Sequence, residues 1–158
     1  MQASTMTERR PGPARNKVDS FESPDFYCID DLLTAEHKLV RSAVRDFVKR
    51  EISPIVEECA QRAEFPKQLF QMFGKIGAFG ATIPTEYGGG GLDQISYGLM
   101  TQEIERGDSG MRSCVSVQNS LVMHPIHTFG SDDQKKKLLP RMAKGDLIGC
   151  FAYGRPHV

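Results

Sequence analysis

Only one stretch of this chain, Leu147-Ile148-Gly149-Cys150-Phe151-Ala152-Tyr153, reads as a β-strand. A lone strand leaves backbone groups unpaired and needs a neighbour to be stable. No second run supplies one, so the rest of the 158 residues must close a core from helices. That length holds one domain with a real core and is too short for two ordinary ones. The pattern predicts an all-α fold of about six helices, with the start of an unpartnered strand at its C-terminal end. It also predicts that the chain stops where another domain begins.

The helices can be placed from periodicity and caps. Leu39, Val40, Ala43, Val44, Phe47 and Val48 make one apolar stripe behind Thr34, which fits an N-cap, with Glu36 in the first turn. Pro54 ends or kinks this helix, and residues 55–63 resume it. Pro66 opens a third helix whose buried face is Leu69, Phe70, Phe73 and Ile76, closed by Gly77. Ala81-Thr82-Ile83-Pro84 reads as extended, because Ile83 precedes proline. Four consecutive glycines after Tyr87 must be loop. Asp93 caps a helix to Arg106 with Ile95, Leu99, Met100 and Ile104 as its apolar positions. A long helix from about Met111 to Phe129 contains Pro125. Ser131-Asp132-Asp133-Gln134 matches a capping box and starts a short helix ending near Pro140.

Composition excludes several classes. Lys+Arg and Asp+Glu both total 20, and this zero balance argues against a nucleic-acid binder. No apolar run approaches a membrane span. The four cysteines are widely spaced, with no CxxC pair, so neither a zinc site nor a disulfide framework is indicated. His124 and His127 are three apart, but no third ligand stands at a helpful spacing and no metal is assigned. The glycine run lacks the Lys-Ser/Thr of a P-loop. The first 24 residues are polar, with Arg9, Arg10, Arg15 and Lys17 among prolines and acids, and fit a disordered arm better than a targeting signal.

The run from Glu105 to Ile126 is unusual. A charge cluster broken by Gly107 and Gly110 passes into a half-apolar segment, with Arg112 at its edge. A guanidinium withdrawn from water needs an anion. Arg112-Ser113 places forked donors beside a hydroxyl, equipment for a carboxylate or phosphate. Two readings stand on residue types alone. Arg112 either pairs structurally with Glu105 or Asp108, or binds an external anion; composition favours the first. No acid/base pair or nucleophile constellation is visible, so no catalytic residue is assigned.

Leu32-Leu33-Thr34, Ile76-Gly77-Ala78-Phe79-Gly80, Tyr87-Gly88-Gly89, Leu138-Leu139-Pro140 and Lys144-Gly145-Asp146 resemble the N-terminal helical domain of acyl-CoA dehydrogenases. Asp108-Ser109-Gly110-Met111-Arg112-Ser113, with Ser116-Val117-Gln118 and Ser120-Leu121-Val122-Met123-His124-Pro125-Ile126, is similar to the glutaryl-CoA branch of that family. The resemblance covers roughly residues 26–151. It implies an FAD enzyme that oxidises the Cα–Cβ bond of a CoA thioester and, in the glutaryl type, releases CO2. It implies that Arg112 and Ser113 hold the far carboxylate of glutaryl-CoA, that Glu105 shapes their pocket, and that Phe151 begins a flavin-contacting strand. It further implies a homo-oligomer, a tetramer in the family's full-length form.

The family continues that strand into Gly-Leu-Thr-Glu-Pro, whereas this sequence reads Phe151-Ala152-Tyr153-Gly154-Arg155-Pro156-His157-Val158. The expectation is thus an arm over 1–24, the helical domain over 25–146, and over 147–158 the truncated start of a β-domain with a divergent tail. Neither the family's catalytic glutamate nor most of its flavin site is in the sequence, so the fragment is expected to be inactive alone. The expected setting is a bacterial-type cytoplasm, or else the mitochondrial matrix. The alternatives to an enzyme fragment are a non-catalytic helical module that binds a partner, or one subunit of a split enzyme.

Overall fold

In the computed structural model residues 24–152 are described, and all their regular structure is helical. Seven α-helices follow in order: α1 (Ala35–Phe47), α2 (Val56–Gln61), α3 (Leu69–Lys75), α4 (Gln94–Gly107), α5 (Ser109–Ser116), α6 (His124–Phe129) and α7 (Asp132–Ala143). α1 packs on α4, α4 on α5, and α6 on α7. The expected arm lies almost wholly outside the described residues, as do residues 153–158.

Local chemistry sets the helix starts. The Thr34 hydroxyl accepts from the His37 backbone N–H at 3.2 Å, and His37 Nδ1 accepts from the Thr34 N–H at 3.3 Å. This is a capping box with histidine in the third position. Because Nδ1 accepts, the ring proton sits on Nε2, which donates to Asp93 Oδ2 at 2.8 Å. The other Asp93 oxygen caps α4 by accepting from the Ser96 N–H at 2.7 Å. One imidazole therefore ties the N-termini of α1 and α4 together. The Ser131–Gln134 box forms as expected.

Both expected proline kinks take the same form. A π-helical stretch, Val48–Ile52, extends α1 and stops two residues before Pro54, and a second, Val117–Met123, joins α5 to α6 and stops two residues before Pro125. Their signatures are bonds from Ser53 N–H to the Val48 carbonyl and from His124 N–H to the Asn119 carbonyl. A proline inside a helix lacks a donor and crowds the carbonyl four residues back. A wider turn upstream gives that carbonyl room.

The helix faces depart from expectation at particular residues. Leu39 and Ile95 are exposed, and so is Ala43, while His37, Ser96 and Glu103 are buried. For Glu103 the reason is an ion pair. Glu103, with no exposed surface, accepts from Arg45 Nε and Nη2, each at 2.9 Å, and lies 3.7 Å from Arg106 Nε. The fork lets Glu103 take an inward place between Met100 and Ile104, on the face the apolar positions already define, with its charge matched. The core gathers beside it: Val44, Phe47, Val48, Ile52, Leu69, Phe73, Phe79, Met100, Ile104, Met111 and Val115. A second cluster of Ile83, Val122, Met123, Leu139, Met142 and Ala143 holds α7 against the π-helical stretch.

Four further expectations are corrected. α3 starts at Leu69 rather than Pro66, which instead opens a turn that accepts from the Leu69 N–H. Residues 81–84 form turns, because Ala81 N–H bonds to Asn119 Oδ1 and the Ala81 and Ile83 carbonyls accept from Leu92 and Gly91. Pro140 lies inside α7, which continues to Ala143. The expected strand is not formed among the described residues: Leu147 lies in a bend and 148–152 take no regular structure.

Removing one partner of a buried pair leaves the other charge uncompensated, at about 3–5 kcal/mol. Arg45→Ala leaves Glu103 with Arg106 at 3.7 Å as its remaining cation, so it is expected to lose about 3 kcal/mol, the low end of that range, in urea unfolding. Arg62→Ala, which breaks a pair with Glu58 exposed by 63% and 64%, should lose about 0.5 kcal/mol or less. Equal losses would contradict the role given to Glu103. Asp93 is lowered to about 2, first by the Ser96 backbone N–H and then by His37. A depressed carboxylate stabilises the fold above its unfolded pKa of about 4, and that contribution is lost as pH falls through the folded value. Asp93→Asn should therefore flatten the acid limb of the stability profile below pH of about 4.

Candidate functional site

The last residue of α4 is Gly107 because the π-helical stretch after α1 is too close for a side chain there. A Cβ on Gly107 would sit 2.4 Å from Val48 Cγ1. Asp108 follows in extended conformation and serves both helices. Its N–H bonds to the Ile104 carbonyl, and its Oδ1 accepts from the Met111 N–H at 2.8 Å, capping α5. This one-residue joint brings the last turn of α4 beside the first turn of α5.

Glu105 and Arg112 meet across the joint. Arg112 Nε donates to Glu105 Oε2 at 2.5 Å, and the Ser109 hydroxyl donates to Oε1 at 2.5 Å. Both carboxylate oxygens are committed. Arg112 and, second, Ser109 hold the Glu105 carboxyl below its ordinary value, so it stays ionised at neutral pH. The Arg112 and Glu105 side chains are 37% and 43% exposed. Of the two readings of Arg112, the pairing with Glu105 is the one formed within this chain. The pair uses only Nε. Among the described residues the two Nη groups, with four N–H donors between them, make no hydrogen bond.

The other sequence-predicted residues lie apart from this pair. Ser113 is exposed, one residue further along α5. Phe151 is 63% exposed in the segment after α7. Ser109 was not singled out by sequence reasoning, since its reach to Glu105 depends on the joint at Asp108. A recess of about 210 Å³ lies between α4 and the π-helical stretch, lined by Thr82, Gln94, Tyr97, Asn119, Ser120 and His124. There the Tyr97 and Ser120 hydroxyls are 3.4 Å apart. His127 instead packs edge-on against the Tyr87 ring, so the two histidines serve different contacts. Among the described residues no group of three His, Cys, Asp or Glu is placed to hold a metal. Burial pushes the Cys114 thiol up to about 11, which makes it an unreactive neighbour of Arg112.

The sequence pattern described as "Acyl-CoA dehydrogenase, N-terminal domain" matches residues 34–146, and the chain belongs to that family. It is 41% identical over 125 residues to an acyl-CoA dehydrogenase of Bacillus subtilis, a match covering 79% of this chain and 33% of the relative. It is 33% identical over 156 residues to the human mitochondrial short-chain specific acyl-CoA dehydrogenase, covering 98% of this chain and 38% of that one. Among solved structures, a glutaryl-CoA dehydrogenase from Mycobacterium smegmatis in complex with FADH2 superposes with TM-score 0.75 at 42% identity, over 77% of this chain and 31% of that one. A glutaryl-coenzyme A dehydrogenase bound to glutaryl-CoA superposes with TM-score 0.70 at 32% identity, over 74% of this chain and 30% of its own. The chain spans about a third of the length of these relatives. No helix among the described residues is long and apolar enough to cross a membrane.

The order of causes on Glu105 is testable. In a carbon-13 titration, Arg112→Ala should raise the Glu105 carboxyl toward its ordinary value, and Ser109→Ala should raise it less. A larger shift from Ser109→Ala would reverse the assignment.

Proposed function

We propose that this chain is the N-terminal, substrate-gripping part of an FAD-dependent acyl-CoA dehydrogenase of the glutaryl type. In this reading Arg112 and Ser113 receive the distal carboxylate of glutaryl-CoA, and Glu105 holds Arg112 in place. The observation that carries it is the Glu105–Arg112 pair across the α4–α5 joint, which engages Nε and leaves the Nη edge for a second anion. That edge is planar and two-pronged, matched to a carboxylate rather than to an alkyl end.

Ionised Glu105 has a cost in this arrangement, since it partly cancels the charge that attracts the substrate. A second, neutral donor offsets this, and the Ser113 hydroxyl on the same first turns of α5 is suited to the task. The role of these residues is to bind and orient. The matched structures with FADH2 and with glutaryl-CoA support the reading at the level of the relatives.

FAD, when bound in such enzymes, accepts the electrons removed from the Cα–Cβ bond. Phe151, the residue that the resemblance assigns to the flavin, is 63% exposed, and a cavity of about 700 Å³ beside Arg41 and Glu103 shares no lining residue with it. A second reading, a helical module that docks a partner, is favoured by Phe26, Tyr27, Leu32 and Phe129, each more than 80% exposed. Both readings require a covering surface.

A charge-assisted hydrogen bond contributes about 1.5–3 kcal/mol, roughly 10- to 100-fold in affinity. Placed in a full-length enzyme whose other surface closes over the joint, Arg112→Ala should weaken glutaryl-CoA binding by about that factor in calorimetric titration while changing butyryl-CoA binding less than about twofold. Equal losses on both thioesters would count against the carboxylate role. Retention of a flavin spectrum with turnover of glutaryl-CoA by the purified chain would overturn its expected inactivity alone.

A further inference from the structure

The segment after α7 has no strand beside it among the described residues, yet it is held as if it had. Gln118, only 1% exposed on the π-helical stretch, donates from Nε2 to the Leu147 carbonyl at 2.9 Å and to the Met142 carbonyl at 3.4 Å. Its Oε1 accepts from the Gly149 N–H at 2.9 Å. In an extended chain, the carbonyl of one residue and the N–H of the second residue beyond it lie on one edge. That is the pair a parallel neighbouring strand engages. One side-chain amide occupies this rung.

Two other observations agree. Leu147 and Gly149 are half-buried while Ile148 and Cys150 are exposed, the period of two that marks a strand. Gly149 also lies so close to the helix that a Cβ there would be 2.4 Å from Val122 Cγ1. Only glycine lets the backbone come down onto the amide.

We infer that Gln118 is a positioning residue, whose amide stands in for a strand and sets the register in which residues 149–151 leave the helical domain. Its bearing on catalysis rests on the reading of Phe151 as a flavin-side residue. The inference also fixes which way a sheet can grow. The rung at Leu147 and Gly149 is taken by Gln118, so at that level an incoming strand can pair only on the edge of Ile148 and Cys150.

Amide exchange by NMR on the full chain tests this. The Ala81 N–H, held by Asn119 Oδ1 at 3.0 Å, is the internal control for the fold. After correction for intrinsic rates, Gly149 should exchange at least about tenfold more slowly than Ile148 and Cys150, as a made hydrogen bond requires. Gln118→Met keeps the bulk without the amide. It should bring Gly149 to the rate of its neighbours while Ala81 is unchanged. Gln118→Glu provides a rescue that bulk alone cannot: a protonated carboxyl has one donor and one acceptor, an ionised one faces two carbonyls. Gly149 protection should therefore appear as that carboxyl protonates and vanish as it ionises. Gly149→Ala should abolish the protection at its own N–H with Gln118 intact.

A Gly149 N–H that exchanges as fast as its neighbours in the unaltered chain overturns the inference, and so does full protection in Gln118→Met. Flavin uptake followed by absorbance decides the Phe151 reading separately, and its failure does not alter the exchange contrast.

Discussion

The buried pair of Glu103 with Arg45 locks the rotation of α4 that Met100 and Ile104 already define, and the candidate site follows from that rotation. A carboxylate with no exposed surface must point at its cations, and Arg45 on α1 approaches it with two parallel N–H groups. A residue two positions on lies roughly 200° round a helix. Glu105 is therefore turned away from α1, outward and toward the start of α5. The internal ion pair thus positions the external one. Gly107 completes the arrangement by letting α4 end in contact with Val48.

The prolines have a comparable reach. Each π-helical stretch ends two residues before a proline, and the second carries Gln118 and Asn119 into the interior. Buried amides must be satisfied, and here every polar atom is used. Asn119 donates to the Ala78 and Val115 carbonyls and accepts from Ala81 N–H, which folds residues 78–81 into turns. Gln118 does the same for residues 147–149. Two adjacent side chains on one widened turn therefore shape the two non-helical segments that flank the second core cluster.

The all-α class, the N-caps at Thr34, Asp93 and Ser131, and the break between Glu105 and Arg112 were legible in the sequence. Each rests on chemistry within a few residues, such as a hydroxyl or carboxylate bonded to an N–H three positions on. The inward faces of α1 and α4 were legible in part: Val44, Phe47, Val48, Met100 and Ile104 are buried as their stripes predict, whereas the burial of Glu103 was not foreseen. Only a partner 58 residues away explains that burial. The extended reading of residues 81–84 failed for the same reason, because Asn119 lies 38 residues from Ala81. Of the candidate site, Arg112 and Glu105 were recognised together, whereas Ser109 needed the Asp108 joint to become their neighbour. Gln118 stood out only as part of the glutaryl-type resemblance; its residue type gives no sign of a buried, bridging role, since glutamine on a helix is ordinarily a surface residue.

Exposure decides what the Arg112 edge can do. At about two-fifths exposure, an ion pair is screened by water and salt and contributes about 1 kcal/mol or less. A carboxylate meeting Arg112 in that setting is held no more tightly than one in solution would be by any surface arginine. Selectivity between a dicarboxylyl and a plain acyl thioester needs the Nη edge to lose its water, so that an unmatched guanidinium carries the full cost of desolvation. In the proposed reading Glu105 would lessen this cost by pairing Nε in advance, and would narrow the gap between the two thioesters to the same extent. The position of Arg112 thus makes the strength of discrimination a property of whatever surface closes over the α4–α5 joint, while its direction, toward an anion, is set by the residues of this chain.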